Sequence, residues 1–302
     1  MAIKLDVVRG NEIFSLNGGS LVYRVETTGI GLPTIRRLRQ AGPFQLGVTN
    51  RGFRLDERAI LLTLFFQAAS LGDADARRDI LAEIFKPLES TPLSLRFTRD
   101  DGSVRQIDGY ADGVIDFPDT PDRDRIGVSQ RVVVPFVPTD NDPVFYDPAL
   151  QRVKFTNLSG SGFIIPFEVP LIQNTGTLIN ATQSVVYDGN WQEYPIIYVT
   201  GPATDITITN LTTDETLDFP ALVLTAGQTM TIDLRFGSKT IRRENGANLL
   251  PYLSEDSDLA YWHLATTPEA SGGVNNVQVA VADDVTSTTA LELTYYNRYT
   301  HV

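Results

Sequence analysis

Side chains able to do chemistry are few in this chain. Imidazole is available only at His263 and His301, and there is no cysteine. Thiolate catalysis, disulfides and zinc–thiolate sites are therefore excluded. A Ser-His-Asp arrangement would have to use His263, which lies in the strand-like stretch AYWHL. A lone His there is more often structural than a base. The run SGSG (Ser159–Gly162) lacks the nucleophile-elbow pattern and reads as a linker. No phosphate-binding loop or dinucleotide fingerprint occurs. Carboxylates are plentiful, but no spacing singles out a pair for glycoside hydrolysis. In DTPDRDRIG, Asp122, Asp124 and Gly127 copy part of a calcium loop, yet Ile126 and Val133 stand where oxygen ligands are needed. The expectation is a protein with no catalytic, cofactor-binding or metal site.

Aromatic residues offer a different chemistry. The segment GNWQEYPIIYVTGP (Gly189–Pro202) holds Trp191, Tyr194 and Tyr198, and a second group falls at Tyr261 and Trp262. Exposed rings of this kind stack on sugars, whereas in a β-sandwich Trp and Tyr more often fill the core or an interface. Alternation puts Tyr194, Ile196 and Tyr198 on one face without saying whether that face is buried. The segment is first of all a strand.

These residues need a scaffold, and the bulk composition bounds it. A chain of 302 residues, 42% hydrophobic and 21% charged, fits two domains with real cores. Its 37 acidic and 25 basic groups give a net charge of −12. That balance opposes binding to phosphate backbones and to anionic membranes. Early charges at Lys4, Asp6 and Arg9 leave no secretory h-region, and the apolar run Ala59–Phe66 is too short to span a bilayer. The expectation is a soluble, cytoplasmically made protein.

Along the chain, strands are expected near Ile3–Val8 and Leu21–Glu26, joined through Gly18-Gly19, and then a long extended stretch, RGFRLDERAILLTLFFQAAS. A helix follows, capped by Asp73 or Asp75, with Ile80, Leu81, Ile84, Phe85 and Leu88 at helical spacing and Pro87 ending it. Leu93, Leu95 and Phe97 alternate into a hairpin turned at Asp101-Gly102. Pro135 in RVVVPFVP points to an edge strand or bulge. This order predicts an α+β domain over residues 1–148 and a connector over 149–184. From Val185 to 302, period-two runs such as DITIT, MTIDLRF and LELTYYNRY predict an antiparallel β-sandwich, with Met230, Ile232, Leu234 and Phe236 on one face.

The sequence from Gly189 onward resembles the C-terminal domain of siphophage distal tail proteins. The shared pattern falls on Gly189, Trp191, Tyr194 and Pro195, then Thr200-Gly201-Pro202, then Ile208, Asn210, Thr212, Thr213, Glu215 and Leu217. It continues through AGQTMTIDL, which contains Asp233, NGANLL with Gly246, GGVNNV with Asn275, and the final YYNRYTHV with Arg298 and Tyr299. The N-terminal half is similar in order, including the helix before the hairpin and DPVFYDP.

The resemblance implies a mainly β protein. Its N-terminal domain would be a tail-tube-like split barrel with one helix, and its C-terminal domain a galectin-like sandwich. It implies a ring, typically a hexamer, at the tip of a long non-contractile tail in the virion, assembled in the host cytoplasm. The ring would sit between the tail tube protein and the tail-tip hub, with no cofactor, no specific nucleic-acid binding and no membrane insertion. Some relatives carry inserted carbohydrate-binding modules, and this chain has no extra length for one. A carbohydrate-binding host adhesin using Trp191 or Trp262 is the other reading. The acidic balance suggests that Asp112, Asp116, Asp119, Asp122 and Asp124 rim the DNA channel, where negative walls would repel phosphate. An acidic loop exposed elsewhere accounts equally for these five residues.

Overall fold

The computed structural model describes residues 3–17, 23–88, 91–115, 117, 122–124, 127–139, 142–155, 179–282 and 289–302. The chain divides into two compact units: residues up to Pro148 together with Tyr299–Val302, and Ala149–Arg298. It is mainly β, with one α-helix among the described residues.

The first unit contains β1 (Lys4–Arg9), β2 (Glu12–Ser15), β3 (Tyr23–Thr28), β4 (Ile35–Gln40), β5 (Thr49–Leu55), β6 (Ile60–Ala68), α1 (Leu71–Phe85), β7 (Leu93–Thr98), β8 (Val104–Ala111), β9 (Asp122–Asp124), β10 (Gly127–Pro138) and β11 (Phe145–Tyr146). Its main sheet runs β2-β1-β7-β8-β10-β6-β3, every neighbouring pair antiparallel. Strict alternation buries Ile60, Leu62, Leu64 and Phe66 of β6 and Leu93, Leu95 and Phe97 of β7, because successive side chains of a strand face opposite sides. Helix α1 adds Ala74, Leu81, Ile84 and Phe85 to this core.

The helix begins at Ser70, not at an aspartate. Ser70 Oγ accepts from the Asp73 N–H at 3.2 Å, and the Asp73 carboxylate reaches back to the Ala69 N–H at 3.1 Å. Asp73 is thus the returning half of a capping box. In the β7–β8 turn only Gly102 takes positive φ, at 83°. Asp101 instead accepts from the Ser103 N–H and hydroxyl at 2.9 and 2.6 Å. Pro135 is not on an edge strand, since β10 lies between β8 and β6. The ladder to β8 covers only Phe136–Pro138, so Pro135 sits just beyond it and its missing N–H removes no bond there.

One buried cation organises this unit. Arg58 is 3% exposed. Its Nε donates to Pro143 O at 2.6 Å, its Nη1 to Gly31 O at 2.7 Å and to Gly29 O, and its Nη2 to Thr300 O at 2.8 Å. Its guanidinium also covers the Phe145 ring at 4.5 Å. Burial lowers its pKa to about 10, partly opposed by Asp142, so it stays charged at neutral pH. Tyr299 is held in the same unit by Arg105, which stacks on its ring at 3.3 Å, and the Val302 N–H donates to Ile30 O at 3.1 Å.

In the second unit, β12 (Gln151–Phe155), β13 (Ile179–Val186), β14 (Ile196–Thr200), β15 (Ala203–Asn210), β16 (Glu215–Leu224), β17 (Thr229–Asp233), β18 (Thr240–Arg243), β19 (Val274–Ala282) and β20 (Ala290–Tyr295) form two antiparallel sheets. Their orders are β12-β20-β14-β17-β18 and β13-β19-β15-β16. Inward residues of both, among them Ile197, Ile208, Phe219, Ile232 and Leu293, share one core with Trp262. The stretch 149–184, which reads as connector, supplies β12 and β13, while residues 156–178, including SGSG, lie outside the described residues. The Gly18-Gly19 link lies outside them too.

Two details of the sandwich depart from the period-two reading. Phe236 is 86% exposed, because β17 ends at Asp233 and the chain then turns through Gly237 at φ 79°. The stretch AYWHL is a turn closing on a single bridge, Glu193 to Leu264, not a strand.

Replacing Arg58 by Met should destabilise the first unit by roughly 3 kcal/mol, since four carbonyls, that of Thr300 buried, lose a charged donor. Urea unfolding followed by far-ultraviolet circular dichroism measures this. Trp191 and Trp262 both lie in the second unit, so tryptophan fluorescence should keep the wild-type midpoint. An unchanged dichroism midpoint would refute the role given to Arg58.

Candidate functional site

The motif residues of the second unit converge on a buried polar network. Asn210 and Asn275 are fully buried. Asn210 Nδ2 donates to His263 O at 2.8 Å and to Asn275 Oδ1 at 3.2 Å, while its Oδ1 accepts from the Thr212 N–H at 3.1 Å. Asn275 Nδ2 donates to Ala265 O at 2.9 Å and Gly273 O at 3.1 Å, and its Oδ1 also accepts from the Ala265 N–H at 2.8 Å. Two amides thus pin the irregular stretch around His263–Ala265 to β15 and β19. Every polar atom removed here would leave partners buried and unmet.

Gly189 serves the neighbouring turn. A Cβ there would lie 2.2 Å from Tyr187 Oη and 2.8 Å from Arg298 O, so no other residue fits. Asn190 and Trp191 donate their N–H groups to Arg298 O at 2.8 and 3.3 Å, and the Trp191 carbonyl accepts from Tyr187 Oη. Gly201 is constrained likewise, with Thr225 O 2.6 Å from its notional Cβ, and the Pro202 carbonyl accepts from Thr289 Oγ1 at 2.7 Å. The Pro195 carbonyl accepts from the Leu234 N–H at 3.2 Å. Thr213 Oγ1 donates to Glu215 at 2.9 Å, Asp233 accepts from Arg235, and Gly246 supplies φ 84° in the turn after β18. Tyr299 belongs to the first unit. These residues build a fold, and their contacts are structural.

The aromatics divide by burial. Trp262 is 0% exposed and cannot meet a sugar. Trp191, Tyr194 and Tyr198 are half-buried, and Tyr261 is exposed. Ile196 and Tyr198 occupy the outer face of β14, since Ile197 and Val199 take the core, whereas Tyr194, ahead of the strand, packs against that core. Lys239 Nζ lies 4.4 Å from the Tyr194 ring centroid and covers it further.

His263, the sequence's one internal imidazole, is held through Nδ1 and its backbone, while its buried Nε2 makes no hydrogen bond. Its Nδ1 lies 3.0 Å from Glu215 Oε1 and 2.8 Å from Tyr261 O, two acceptors, so Nδ1 carries the proton. Its own backbone N–H donates to Glu215 Oε2 at 2.9 Å, and Nε2 lies 3.6 Å from Glu269. No serine or other nucleophile is aligned with it among the described hydrogen bonds. Nor do the described residues contain three acidic or imidazole groups placed to hold a metal.

Of the five acids proposed for a channel, Asp112 is exposed. Asp116 and Asp119 lie outside the described residues. Asp122 and Asp124 form β9, whose backbone pairs with β10.

The largest feature unforeseen from sequence is the β4–β5 hairpin. It forms a two-stranded sheet of its own, and every residue from 34 to 51 is exposed. Phe44 and Leu46 near its tip are 101% and 102% exposed. Five arginines, Arg36, Arg37, Arg39, Arg51 and Arg54, lie on its strands with no acid between Ile35 and Leu55. Arg36 and Arg54 face each other across the ladder, a repulsive pairing relieved by Asp56, which salt-bridges them at 2.9 and 3.2 Å. The sequence signal was IRRLRQ and NRGFRL flanking AGPFQLG, two period-two runs around a Gly-Pro turn.

His263 gives the second unit a pH response. Burial, the largest influence, lowers its pKa, but Glu215, the Tyr261 carbonyl and Glu269 together raise it above the ordinary 6.5. The imidazolium is therefore better stabilised in the folded state, and its contribution is full below pH 6.5 and fades as pH rises through the higher folded value. Unfolding of the wild type, followed by tryptophan fluorescence, should weaken across that interval. His263→Gln should flatten the dependence, and a persisting slope would assign it elsewhere.

Neither a protein-family profile nor a curated protein matches the sequence. Among solved structures, the crystal structure of the Dit protein (gp 19.1) of phage SPP1 superposes with a TM-score of 0.59 at 15% identity, covering 97% of this chain and 98% of that one. Its description calls that protein a paradigm of hub adsorption apparatus in phages infecting Gram-positive hosts. The phage P2 baseplate, in its activated conformation with Ca or with Sr, matches at 10% identity and a TM-score of 0.43, covering 94% of this chain and 99% of that chain. Over nearly its whole length, this chain has the fold of SPP1 Dit.

Proposed function

We propose that this chain is a structural virion protein that forms a homo-oligomeric ring, a hexamer, at the distal end of a long non-contractile phage tail. One observation carries the reading: the SPP1 Dit fold extends over 97% of the chain, both units included. The order of motifs shared with siphophage distal tail proteins supports the same assignment independently. In this role the ring joins the tail tube to the tail-tip hub and surrounds the DNA path, and it acts without catalysis. Asp112, Asp122 and Asp124 would help keep that path acidic, so that phosphate passes without binding. Assembly takes place in the host cytoplasm before the tail is complete.

Multi-angle light scattering of the purified protein, followed by negative-stain imaging, tests this. The expected particle has about six times the 33.3 kDa chain mass and an open centre. A chain that stays at 33.3 kDa and fails to bind purified tail tubes would overturn the assignment.

A further inference from the structure

We infer that His263 and Glu269 form a proton-operated latch: a proton taken up from solvent at Nε2 draws the Glu269 carboxylate onto the imidazole and fixes the exposed segment Thr267–Glu269 against the sandwich. Every group involved lies in the second unit, so the latch is independent of ring assembly.

In the neutral form the latch is open. Nδ1 faces two acceptors and carries the proton, which leaves a lone pair on Nε2. Nε2 is buried and makes no hydrogen bond. Glu269 Oε2 stands 3.6 Å from it, outside bonding distance, and a lone pair facing a carboxylate is repelled. A buried polar atom without a partner is uncommon in a native fold and calls for a reason. Protonation supplies one. It turns Nε2 into a charged donor, screened from water, whose anionic acceptor lies only about 0.8 Å beyond the ~2.8 Å of a charge-assisted bond.

The imidazole is fixed, so the carboxylate moves. Glu215 on β16 is committed, with Oε1 3.0 Å from Nδ1 and Oε2 accepting from the His263 N–H and Thr213 Oγ1, both at 2.9 Å. Asn210 on β15 holds the His263 carbonyl at 2.8 Å. The ring of Tyr194 lies 6.1 Å from the imidazole, and Lys239, 4.4 Å from that ring, donates to Leu259 O at 2.9 Å. Glu193, whose backbone bridges to Leu264, turns its carboxylate to Arg298 at 3.6 Å. Glu269 alone is free to swing: its side chain is 56% exposed and has no other partner among the described residues. Its segment is tied at both ends, by Thr266 Oγ1 to Gly189 O at 2.8 Å and by the Tyr187 N–H to Gly273 O at 2.9 Å, while Thr267, Pro268 and Glu269 between them are exposed. Closure therefore costs little more than the rotation of one side chain. Burial lowers the His263 pKa, but Glu215, the Tyr261 carbonyl and Glu269 outweigh it and raise it above 6.5. The latch thus closes as pH falls through that raised value and opens above it.

Nuclear magnetic resonance of the full chain labelled at histidine Cε1, with the His263 signal assigned by its loss in His263→Gln, tests this together with hydrogen–deuterium exchange. Glu269→Gln alters an exposed side chain and should leave the fold intact. It should lower the proton affinity of His263 roughly threefold, a midpoint about half a pH unit lower, whereas Glu255→Gln, which removes another exposed acid, should leave the midpoint in place. In the wild type, exchange at the Thr267, Glu269 and Ala270 amides, corrected for its intrinsic pH dependence, should slow at least about twofold once His263 is protonated. In Glu269→Gln that slowing should vanish. An unchanged midpoint in Glu269→Gln, an equal shift in Glu255→Gln, or wild-type exchange that ignores the protonation of His263 would each overturn the latch.

Discussion

The first unit depends on Arg58. A guanidinium presents rigidly oriented N–H donors, and here they are directed at carbonyls from residues 29, 31, 143 and 300. Those residues are far apart in sequence, so one side chain sets the relative position of a turn, the approach to β11 and the chain's final residues. Lysine could not replace it, having a single flexible ammonium without the planar fork. The site also dictates its neighbours. Gly29 takes φ 82°, and a Cβ there would lie 2.1 Å from Ala59 O, so only glycine lets the backbone approach. Because Thr300 is one of the acceptors, the first unit takes in the last residues of the chain as well as its first half.

Much of this architecture was legible because buried strands must alternate. Ile60 to Ala68, Leu93 to Phe97, and Met230 to Ile232 each place every second residue in a core, and the sequence says so directly. The helix was legible from Leu81, Ile84 and Phe85, but its cap was not, since Ser70 and Asp73 share the work that either could do alone. Alternation misled where a pattern outran its strand. Phe236 continues the run of Met230, Ile232 and Leu234 in sequence, yet the ladder to β18 has already ended at Asp233. Pro135 misled in the opposite sense, because a central strand tolerates proline wherever one neighbouring ladder stops short.

The motif residues were legible as a set, but their purpose was not. Trp191 invites a sugar-binding reading when seen as a string, and Asn210 and Asn275 show there only as parts of a shared pattern. In space the two asparagines saturate the backbone of an irregular segment that has no strand partner to do so, and Gly189 and Gly201 are glycines because carbonyl or hydroxyl oxygens leave no room for a Cβ. The same geometry answers the question of His263. The His263 imidazole is oriented through Nδ1 by the Glu215 carboxylate and the Tyr261 carbonyl, and none of its described hydrogen bonds runs to a serine or other nucleophile.

Net charge conceals more than it shows in this chain. A value of −12 describes a uniformly acidic protein, but the arginines between Ile35 and Leu55 are unbalanced by any acid, and their absence from the rest makes that rest more acidic still. Such segregation costs stability within a monomer. Like charges face each other at Arg36 and Arg54, and a single aspartate, Asp56, has to hold both. A monomer optimised for itself would intersperse the two signs. Segregated charge of this kind favours contact between unlike surfaces over contact between like ones.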